Sequence, residues 1–287
     1  MDRRTFVKYG TAGLASSALG CFAYAVGVEP HWLEIVTRDL AIEHLPANLE
    51  GMRLAQVSDL HIGPKVSDDY IIRTFDRLRS LAPEIVVVTG DFVTYRVDRG
   101  EAQFEQLRSV LSHFPHGSLA TTAILGNHDY GRLWREPAVA DRVAAEAERA
   151  GIRVLRNQTH TVAGLDIIGI DDLWGGRADS VAALGGRVSD SAIVLLHNPD
   201  GADQLRWPGY RGWILAGHTH GGQCKPPFLP PPLLPVVNRR YVSGEVSVSG
   251  DASRTLYISR GVGHLLHARF NVRPEVTLFT LRRRARG

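Results

Sequence analysis

Five short clusters of aspartate, histidine and asparagine follow runs of apolar residues along this chain. Three of the clusters contain glycine, which lets the backbone turn sharply and come close to an ion. Burying this many imidazole, carboxylate and amide groups would be costly unless a metal ion satisfied them. The clusters are Ser58-Asp59-Leu60-His61, Gly90-Asp91, Gly126-Asn127-His128-Asp129, His197-Asn198 and Gly217-His218-Thr219-His220-Gly221-Gly222.

The apolar runs that precede these clusters are predicted to be buried strands. In α/β folds, ligands gather outside the carboxyl ends of the strands, so the clusters are expected to meet at one edge of the fold. Amphipathic stretches between the runs predict helices over 69–81, 101–113 and 137–150. The predicted strands cover 54–57, 85–89, 120–125, 165–170, 192–196 and 213–216.

The last part of the chain is rich in β-forming residues, and it predicts strands over 241–249, 254–259 and 275–281 that complete a second sheet. No linker or repeat interrupts the sequence from Glu34 onward. The order of elements therefore favours an α/β (α+β layered) fold, an αββα-like sandwich, with residues 29–287 forming a single domain.

The N-terminus carries a pattern of export signals. Arg3, Arg4, Phe6 and Lys8 match the twin-arginine motif R-R-x-F-x-K, and residues 9–28 contain no charge. Residues 1–28 are therefore interpreted as a twin-arginine signal segment or an N-terminal anchor, which could be cleaved, lipidated at Cys21 or retained. The twin-arginine export machinery is then a partner, and the mature chain is expected in the periplasm or at the outer face of the cytoplasmic membrane.

The net charge argues against binding to nucleic acid. Residues 1–28 contain three basic residues and one acidic residue, so the rest of the chain, with 30 basic and 29 acidic residues, has a net charge of +1. No basic run interleaved with aromatic residues is present, and the basic tail at Arg282, Arg283, Arg284 and Arg286 is interpreted as solvated charge or as attraction to an anionic membrane surface.

Taken singly, each cluster has an ordinary structural explanation. A D-x-H pair is common by chance, a histidine after a strand is often only hydrogen-bonded, and G-N-H-D could be a turn. In this order, however, D-x-H, G-D, G-N-H-D, H and G-H-T-H resemble the five-block signature of calcineurin-like metallophosphoesterases, over about residues 52–281. With the twin-arginine motif, the last block is similar to a small branch of exported bacterial phosphodiesterases. The resemblance implies two mixed sheets flanked by helices.

The resemblance also implies a ligand set for two divalent metal ions. Asp59, His61 and His220 would hold one ion, Asn127, His197 and His218 the other, and Asp91 would bridge them. Imidazole and oxygen donors without thiolate favour Mn, Fe or Zn. Two such ions would supply a bridging hydroxide that attacks the phosphate ester.

Two further residues of the third cluster are assigned to catalysis. His128 is expected to protonate or hydrogen-bond the leaving oxygen, and Asp129 is expected to orient the His128 ring. The alternative is that His128 only packs or caps a turn.

Residues 225–237, K-P-P-F-L-P-P-P-L-L-P-V-V, contain too many prolines for a helix or a central strand. Next to a metal site, this apolar segment could receive a lipid-linked or membrane-bound substrate, such as a UDP-diacylglucosamine-type precursor. Alternatively, Phe228, Leu229, Leu233 and Leu234 pack on the sheet.

The function favoured by these residues is hydrolysis of a phosphate ester, with a phosphodiester preferred. The alternatives are a non-catalytic metal-binding scaffold of the same fold and a nuclease of the same superfamily. A scaffold would be expected to lack ligands, and a nuclease to show a basic groove.

Overall fold

The computed structural model describes residues 3–284, so Arg286 of the basic tail lies outside the described residues. Helices and strands alternate along the middle of the chain, as predicted. The helices are α1 (Arg3–Gly27), α2 (Asp68–Ser80), α3 (Glu101–Leu111), α4 (Pro137–Arg149), α5 (Ser180–Gly185) and α6 (Gly201–Gln204).

Among residues 3–284, twelve strands form two six-stranded sheets. The first sheet has the order β1-β12-β2-β3-β4-β5, in which only the β12–β2 pair is antiparallel. Its strands are β1 (Glu34–Ile42), β2 (Arg53–Val57), β3 (Ile85–Thr89), β4 (Ala120–Ile124), β5 (Arg153–Val154) and β12 (Glu275–Arg283).

The second sheet has the order β10-β11-β9-β8-β7-β6, with antiparallel pairs at both edges and parallel pairs between them. Its strands are β6 (Gln158–Val162), β7 (Leu165–Gly169), β8 (Ala192–Leu195), β9 (Gly212–Ala216), β10 (Gly244–Val248) and β11 (Asp251–Ile258).

The two sheets pack face to face, and helices cover both outer faces. Leu54 and Val87 of the first sheet share an apolar cluster with Ile167 and Leu215 of the second. Because side chains alternate along a strand, the neighbouring residues of the first sheet point to its other face, where they meet α2, α3 and α4. Buried residues of α5 and α6 pack on the outer face of the second sheet. This arrangement is the expected αββα sandwich.

One prediction about the sheets is wrong. β12 was expected to complete the second sheet, but it lies in the first, between β1 and β2, with Thr277 opposite Gln56. The residues of β12 are apolar enough for either sheet, so only long-range pairing could place them. Strands β1, β5 and β6 were not predicted.

Helix α1 contacts the rest of the chain at its C-terminal end. The Arg269 backbone N–H donates to the Ala25 carbonyl at 2.8 Å, and the Tyr24 ring meets Phe270 edge to face, 6.5 Å between centroids. Within residues 3–284, no helix is both long enough and apolar enough to span a membrane.

Candidate metal centre

The five polar clusters meet at the carboxyl ends of strands from both sheets. Asp59 and Asp91 lie two residues beyond β2 and β3, and Asn127 lies three residues beyond β4. His197 and His218 lie two residues beyond β8 and β9. All five are buried, with at most 5% of their surface exposed. Residues about 160 positions apart in sequence are thereby placed in one interior site.

Asp59, His61 and His220 form the first group that could hold a metal ion. The Nε2 atoms of His61 and His220 are 3.0 Å apart, and Asp59 Oδ1 lies 3.4 Å from His220 Nε2 and 3.9 Å from His61 Nε2. Two imidazole nitrogens and a carboxylate oxygen so close together form a suitable donor set for a divalent transition metal.

Asp91, His197 and His218 form the second group. Asp91 Oδ2 lies 3.2 Å from His197 Nε2, and His218 Nδ1 lies 3.3 Å from the same nitrogen. Asp91 Oδ2 is also only 3.6 Å from His61 Nε2 in the first group. One carboxylate oxygen therefore lies between the two groups, which is the position that a bridging ligand requires.

Hydrogen bonds fix the orientation of three of these rings. His197 Nδ1 donates to the Thr89 carbonyl at 2.7 Å, and His218 Nε2 donates to the Pro235 carbonyl at 2.9 Å. His61 Nδ1 lies 2.9 Å from Thr94 Oγ1. In each ring the other nitrogen then faces the interior of the site, as a metal ligand requires.

The backbone of the site is strained. Five of the six residues in the two groups have positive φ angles, between 49° and 72°: Asp59, His61, Asp91, His218 and His220. Non-glycine residues in this region cost on the order of 1–3 kcal/mol each. At Gly126 a Cβ would lie 2.3 Å from Asp91 Oδ1, so this position needs glycine. Surrounding contacts must therefore stabilise the strained turns.

Asn127 supplies an independent indication of a ligand. Its Oδ1 and Nδ2 atoms are buried, and neither has a hydrogen-bond partner in the described part of the chain. Buried side-chain amides are nearly always paired, so two orphaned atoms need an explanation. A metal ion bound through Oδ1 next to the second group would account for the oxygen, and the residues present therefore fit a dinuclear centre.

The charges at the site are consistent with cation binding. Burial alone would raise the pKa of Asp91, but the imidazoles of His197 and His128 lower it well below its usual value. Burial opposes charge on His197, yet Asp91 and then Asp59 raise the pKa of His197 to about 10. Burial raises the pKa of Asp59 to about 6. The carboxylates thus attract positive charge to this interior, and a bound divalent ion would replace the proton on His197.

Comparison with known proteins agrees with this geometry. Residues 52–222 match the family model for calcineurin-like phosphoesterases, and this stretch contains all seven expected ligands. The chain belongs to the calcineurin-like phosphoesterase family. It is therefore an enzyme that hydrolyses phosphate esters.

Relatives of this phosphoesterase align over nearly their whole length. It is 30% identical to phosphodiesterase YaeI of Escherichia coli (strain K12), covering 98% of this chain and 99% of that one. It is 32% identical to the uncharacterized metallophosphoesterase YkuE of Bacillus subtilis (strain 168), covering 98% of each. It is 26% identical to UDP-2,3-diacylglucosamine pyrophosphatase LpxG of Chlamydia trachomatis, covering 95% of this chain and 98% of that one.

His128 lies at the edge of the phosphoesterase site and is half-buried. Its backbone N–H donates to Asp91 Oδ1 at 2.9 Å. Its ring meets the His61 ring edge to face, with centroids 5.0 Å apart, and the Trp134 ring at 6.2 Å. The ring is therefore next to both groups, where it could reach the leaving oxygen of a bound ester.

The carboxylate of Asp129, which was expected to orient the His128 ring, bonds to backbone N–H groups. Oδ2 accepts from the N–H groups of Asp91 at 3.0 Å and Gly126 at 2.9 Å, and Oδ1 accepts from Val93 at 3.1 Å. These bonds tie the third cluster to the second. Asp129 thus positions the turn that carries Asp91, and the His128 ring is held by aromatic neighbours.

Two tryptophans at the site were not predicted. Trp134 and Trp174 stack with ring centroids 4.8 Å apart, and Trp174 meets the His218 ring edge to face at 4.6 Å. Together with the contact between Trp134 and His128, they form a continuous aromatic wall from His128 to His218. The two residues are 40 positions apart, and no local pattern in the sequence links them to the metal ligands.

Asp172 also lies next to the second group, where it interacts with His197. Its Oδ1 accepts from the N–H groups of Trp174 and Gly175, whereas its Oδ2 is buried without a partner in the described part of the chain. Burial raises its pKa to about 6, and His197 opposes this effect. The signal was present in the sequence, since Asp172 follows β7 as the other clusters follow their strands.

Arg269 lies against one wall of the site, with its Nη2 3.5 Å from His220 Nδ1. It is fully buried, and its Nη2 donates to the carbonyls of Arg260 at 2.9 Å and Gly261 at 3.1 Å, and also to Gly263. The same loop is tied to the first cluster, because the Gly263 N–H donates to the Asp59 carbonyl at 2.7 Å.

A cavity of about 430 Å³ opens beside the first group. It is lined mainly by apolar side chains, including Leu233, Leu234, Leu265 and Leu266, and His220 forms part of its wall. The alternative in which the proline-rich segment packs on the sheet fails for Phe228, Leu229 and Leu233, which are all exposed.

Proposed function

We propose that this calcineurin-like phosphoesterase is a two-metal phosphodiesterase whose substrate carries a lipid chain next to the phosphate. The observation that supports the lipid is the apolar cavity that shares His220 with the metal centre. A phosphate held at the centre would place one of its ester groups at the mouth of this cavity.

The proposed ligands divide into two sets. Asp59, His61 and His220 would hold one ion, and the other would be held by Asn127, His197 and His218, with Asp91 shared between the ions. The donor set of imidazole, carboxylate and amide favours Mn, Fe or Zn. Two such ions, when bound, supply Lewis acidity and a nucleophile at neutral pH.

The other groups of the site act on the substrate. The His128 ring is placed to donate a proton to the leaving oxygen, which makes that oxygen a better leaving group. Trp134 and Trp174 would exclude water from the side of His128 and His218, which strengthens electrostatic interactions inside the site.

Two observations favour a diester over a monoester. Arg269, a fully buried cation near the site, uses Nη1 and Nη2 to donate to backbone carbonyls, so these two groups are not free to neutralise the second negative charge of a monoester. In addition, the relative YaeI is named a phosphodiesterase. The relative LpxG, named for a diacylated sugar nucleotide, supports a lipid-linked substrate.

The proposal is tested by metal analysis of the purified full chain and by a panel of substrates. The panel contains bis-p-nitrophenyl phosphate, p-nitrophenyl phosphate and detergent-solubilised phosphodiesters with and without an acyl chain. We expect about two ions per chain, preference for diesters, and faster hydrolysis of the acylated substrate. Equal rates on acylated and soluble diesters would contradict the lipid preference, and faster monoester hydrolysis would contradict the diesterase.

A matched pair of variants tests the role of the cavity. Leu265→Ser introduces a hydroxyl into its wall and is expected to slow hydrolysis of the acylated diester while leaving that of bis-p-nitrophenyl phosphate intact. Val188→Ser changes an exposed apolar residue elsewhere and is the control. Parallel loss on both substrates in Leu265→Ser would show that the cavity has no role in selectivity.

We also propose that the chain is exported by the twin-arginine route, supported by the R-R-x-F-x-K motif. The test fuses residues 1–28 to a folded reporter in a bacterium with this pathway. Arg3→Lys combined with Arg4→Lys is expected to retain the reporter in the cytoplasm. Equal export of both fusions would contradict the proposal.

A further inference from the structure

Five exposed apolar side chains lie on the two segments that also line the apolar cavity, and two of them, Leu233 and Leu266, form part of its wall. Val237 is 80% exposed and Leu233 is 68% exposed, and the Phe228 ring is fully exposed. Large apolar side chains scattered singly on a surface are normal, but a group within two neighbouring segments marks an interaction site. This group, called here the apolar rim, consists of Phe228, Leu229, Leu233, Val237 and Leu266.

The backbone holds the rim in an exposed conformation. Six prolines lie between Lys225 and Val237, and each fixes its φ angle and restricts the residue before it. Phe228 lies in a turn that the Leu229 N–H closes onto the Pro226 carbonyl at 3.3 Å. Its φ angle of 65° is in the left-handed region, which is strained for a bulky side chain. The turn thus presents an aromatic ring to the outside, where the described residues do not pack on it.

The two segments that carry the rim contain basic but no acidic residues, and the exposed carboxylate beside them is that of Asp203, which bonds to Asn238. The segments 223–240 and 264–270 contain no acidic residue, but they contain Lys225, Arg239 and Arg240. Arg239 and Arg240 are exposed, and Lys225 is half-buried. Apolar side chains flanked by basic ones are typical of protein surfaces that bind the interface of an anionic bilayer.

The rim also lies beside the end of helix α1. The Cys224 backbone pairs with that of Phe270, whose ring contacts Tyr24 near the end of α1. Leu19 and Phe22 of the same helix are exposed apolar residues. The uncharged N-terminal segment and the rim therefore meet at the same part of the molecule, and a single surface could receive both.

We propose that the apolar rim docks on a lipid bilayer that contains anionic lipids, with the cavity mouth facing the acyl chains. Phe228 and Val237 enter the interfacial region, while Lys225 and Arg240 contact the lipid phosphates. The phosphate of a lipid-linked phosphodiester then reaches the metal centre beside His220 while part of the molecule stays in the membrane. The delivery of a lipid-linked substrate rests on the proposed function, whereas the docking on the bilayer does not.

The test measures binding of the full chain to vesicles by co-sedimentation. The vesicles contain phosphatidylcholine, with or without phosphatidylglycerol. Phe228→Ser combined with Val237→Ser is expected to lower the affinity about tenfold or more, because the loss of two inserted side chains removes much apolar area from the contact. The control, Val97→Ser combined with Val188→Ser, removes exposed apolar side chains elsewhere and should bind within about twofold of the unchanged chain.

The charge component is tested separately. Lys225→Gln combined with Arg240→Gln is expected to abolish the preference for vesicles with phosphatidylglycerol. Its control, Arg153→Gln combined with Arg211→Gln, neutralises exposed arginines away from the rim. Equal loss in both pairs would mean that net charge, and not the rim, attracts the membrane, and would overturn this part of the proposal.

Quenching of an introduced tryptophan by brominated lipid shows which part of the surface contacts the bilayer. In Phe228→Trp, fluorescence quenching by brominated phosphatidylcholine mixed with phosphatidylglycerol is expected, and in Val188→Trp it is not. Absence of quenching in Phe228→Trp would overturn the proposal. Concentration-dependent dimerisation that Phe228→Ser abolishes would also overturn it, since the rim would then bind a second copy.

Failure of the docking can be distinguished from failure of the proposed function. The rim variants Phe228→Ser and Val237→Ser are expected to hydrolyse bis-p-nitrophenyl phosphate at the unchanged rate. Vesicle binding requires no catalysis, and soluble-ester hydrolysis requires no vesicles. Each result therefore tests one proposal alone.

Discussion

The backbone N–H of Asp91 donates to the carboxylate of Asp129 at 3.0 Å, and this bond ties the third polar cluster to the second. The same Asp129 oxygen also accepts from Gly126. The turn that places the shared carboxylate between the two groups of ligands is thus held by a residue that is itself outside both groups.

Asp129→Asn is expected to lower the free energy of unfolding by about 1–3 kcal/mol, because the amide nitrogen would face N–H groups in place of an acceptor. Metal content and turnover should fall with it. Denaturant unfolding and metal analysis measure the two effects, with the exposed Asp98→Asn as the control. Unchanged stability and metal content would contradict the positioning role.

Asp91→Asn is expected to weaken both metal sites, because Oδ2 of this residue lies close to His197 and to His61. We expect turnover to fall by about 100-fold or more, as for the loss of a group that acts directly on the reacting centre. Titration with Mn or Zn, followed by calorimetry, measures the affinity of each site. A variant that loses one ion and keeps the other at full affinity would rule out the bridge.

His128→Ala is expected to keep the metal content but to lower kcat by about 10²–10⁴-fold, the usual contribution of a general acid. The loss should be smaller for diesters with good leaving groups, which need no proton. A series of aryl diesters with leaving groups of rising pKa measures this dependence. An equal loss across the series would remove the acid role, and full activity would remove any catalytic role.

The lowered pKa of Glu146 is expected to make the stability of the fold depend on pH, and this effect is unrelated to the metal centre. Hydrogen bonds from Arg108, at 2.7 and 3.0 Å, together with Arg149 and against the effect of burial, lower the pKa of Glu146 from 4.5 to about 2. Because the folded pKa is below the unfolded one, the stabilisation is present above about pH 4.5 and is lost as the pH falls towards about 2.

Glu146→Gln should therefore lower the free energy of unfolding by about 1–2 kcal/mol near pH 7, a value reduced because the arginines are partly exposed. The difference from the unchanged chain should shrink towards zero near about pH 2. Urea unfolding across this range measures it, with the exposed Glu148→Gln as the control. A difference that stays constant with pH would show that the arginine contacts do not depend on the charge of Glu146.

Local sequence patterns predicted much of the fold. The strands β2, β3, β4, β7, β8 and β9 and the helices α2, α3 and α4 lie within a few residues of their predicted positions, because each has a clear apolar period and a clear stop. The prediction assigned β12 to the wrong sheet, because its partner β2 lies more than 200 residues away and no local pattern encodes that pairing.

The sequence by itself determined which groups could bind metal, because their residue types and their positions after strands are local properties. Only the tertiary structure decided how they are used. It gave Asp129 backbone partners, brought Trp134 and Trp174 together beside His128, and exposed Phe228. It also left buried atoms of Asn127 and Asp172 without a hydrogen-bond partner among the residues that the structure describes. These outcomes depend on contacts between residues far apart in the chain, and such contacts arise from the packing of two sheets, not from the pattern within either one.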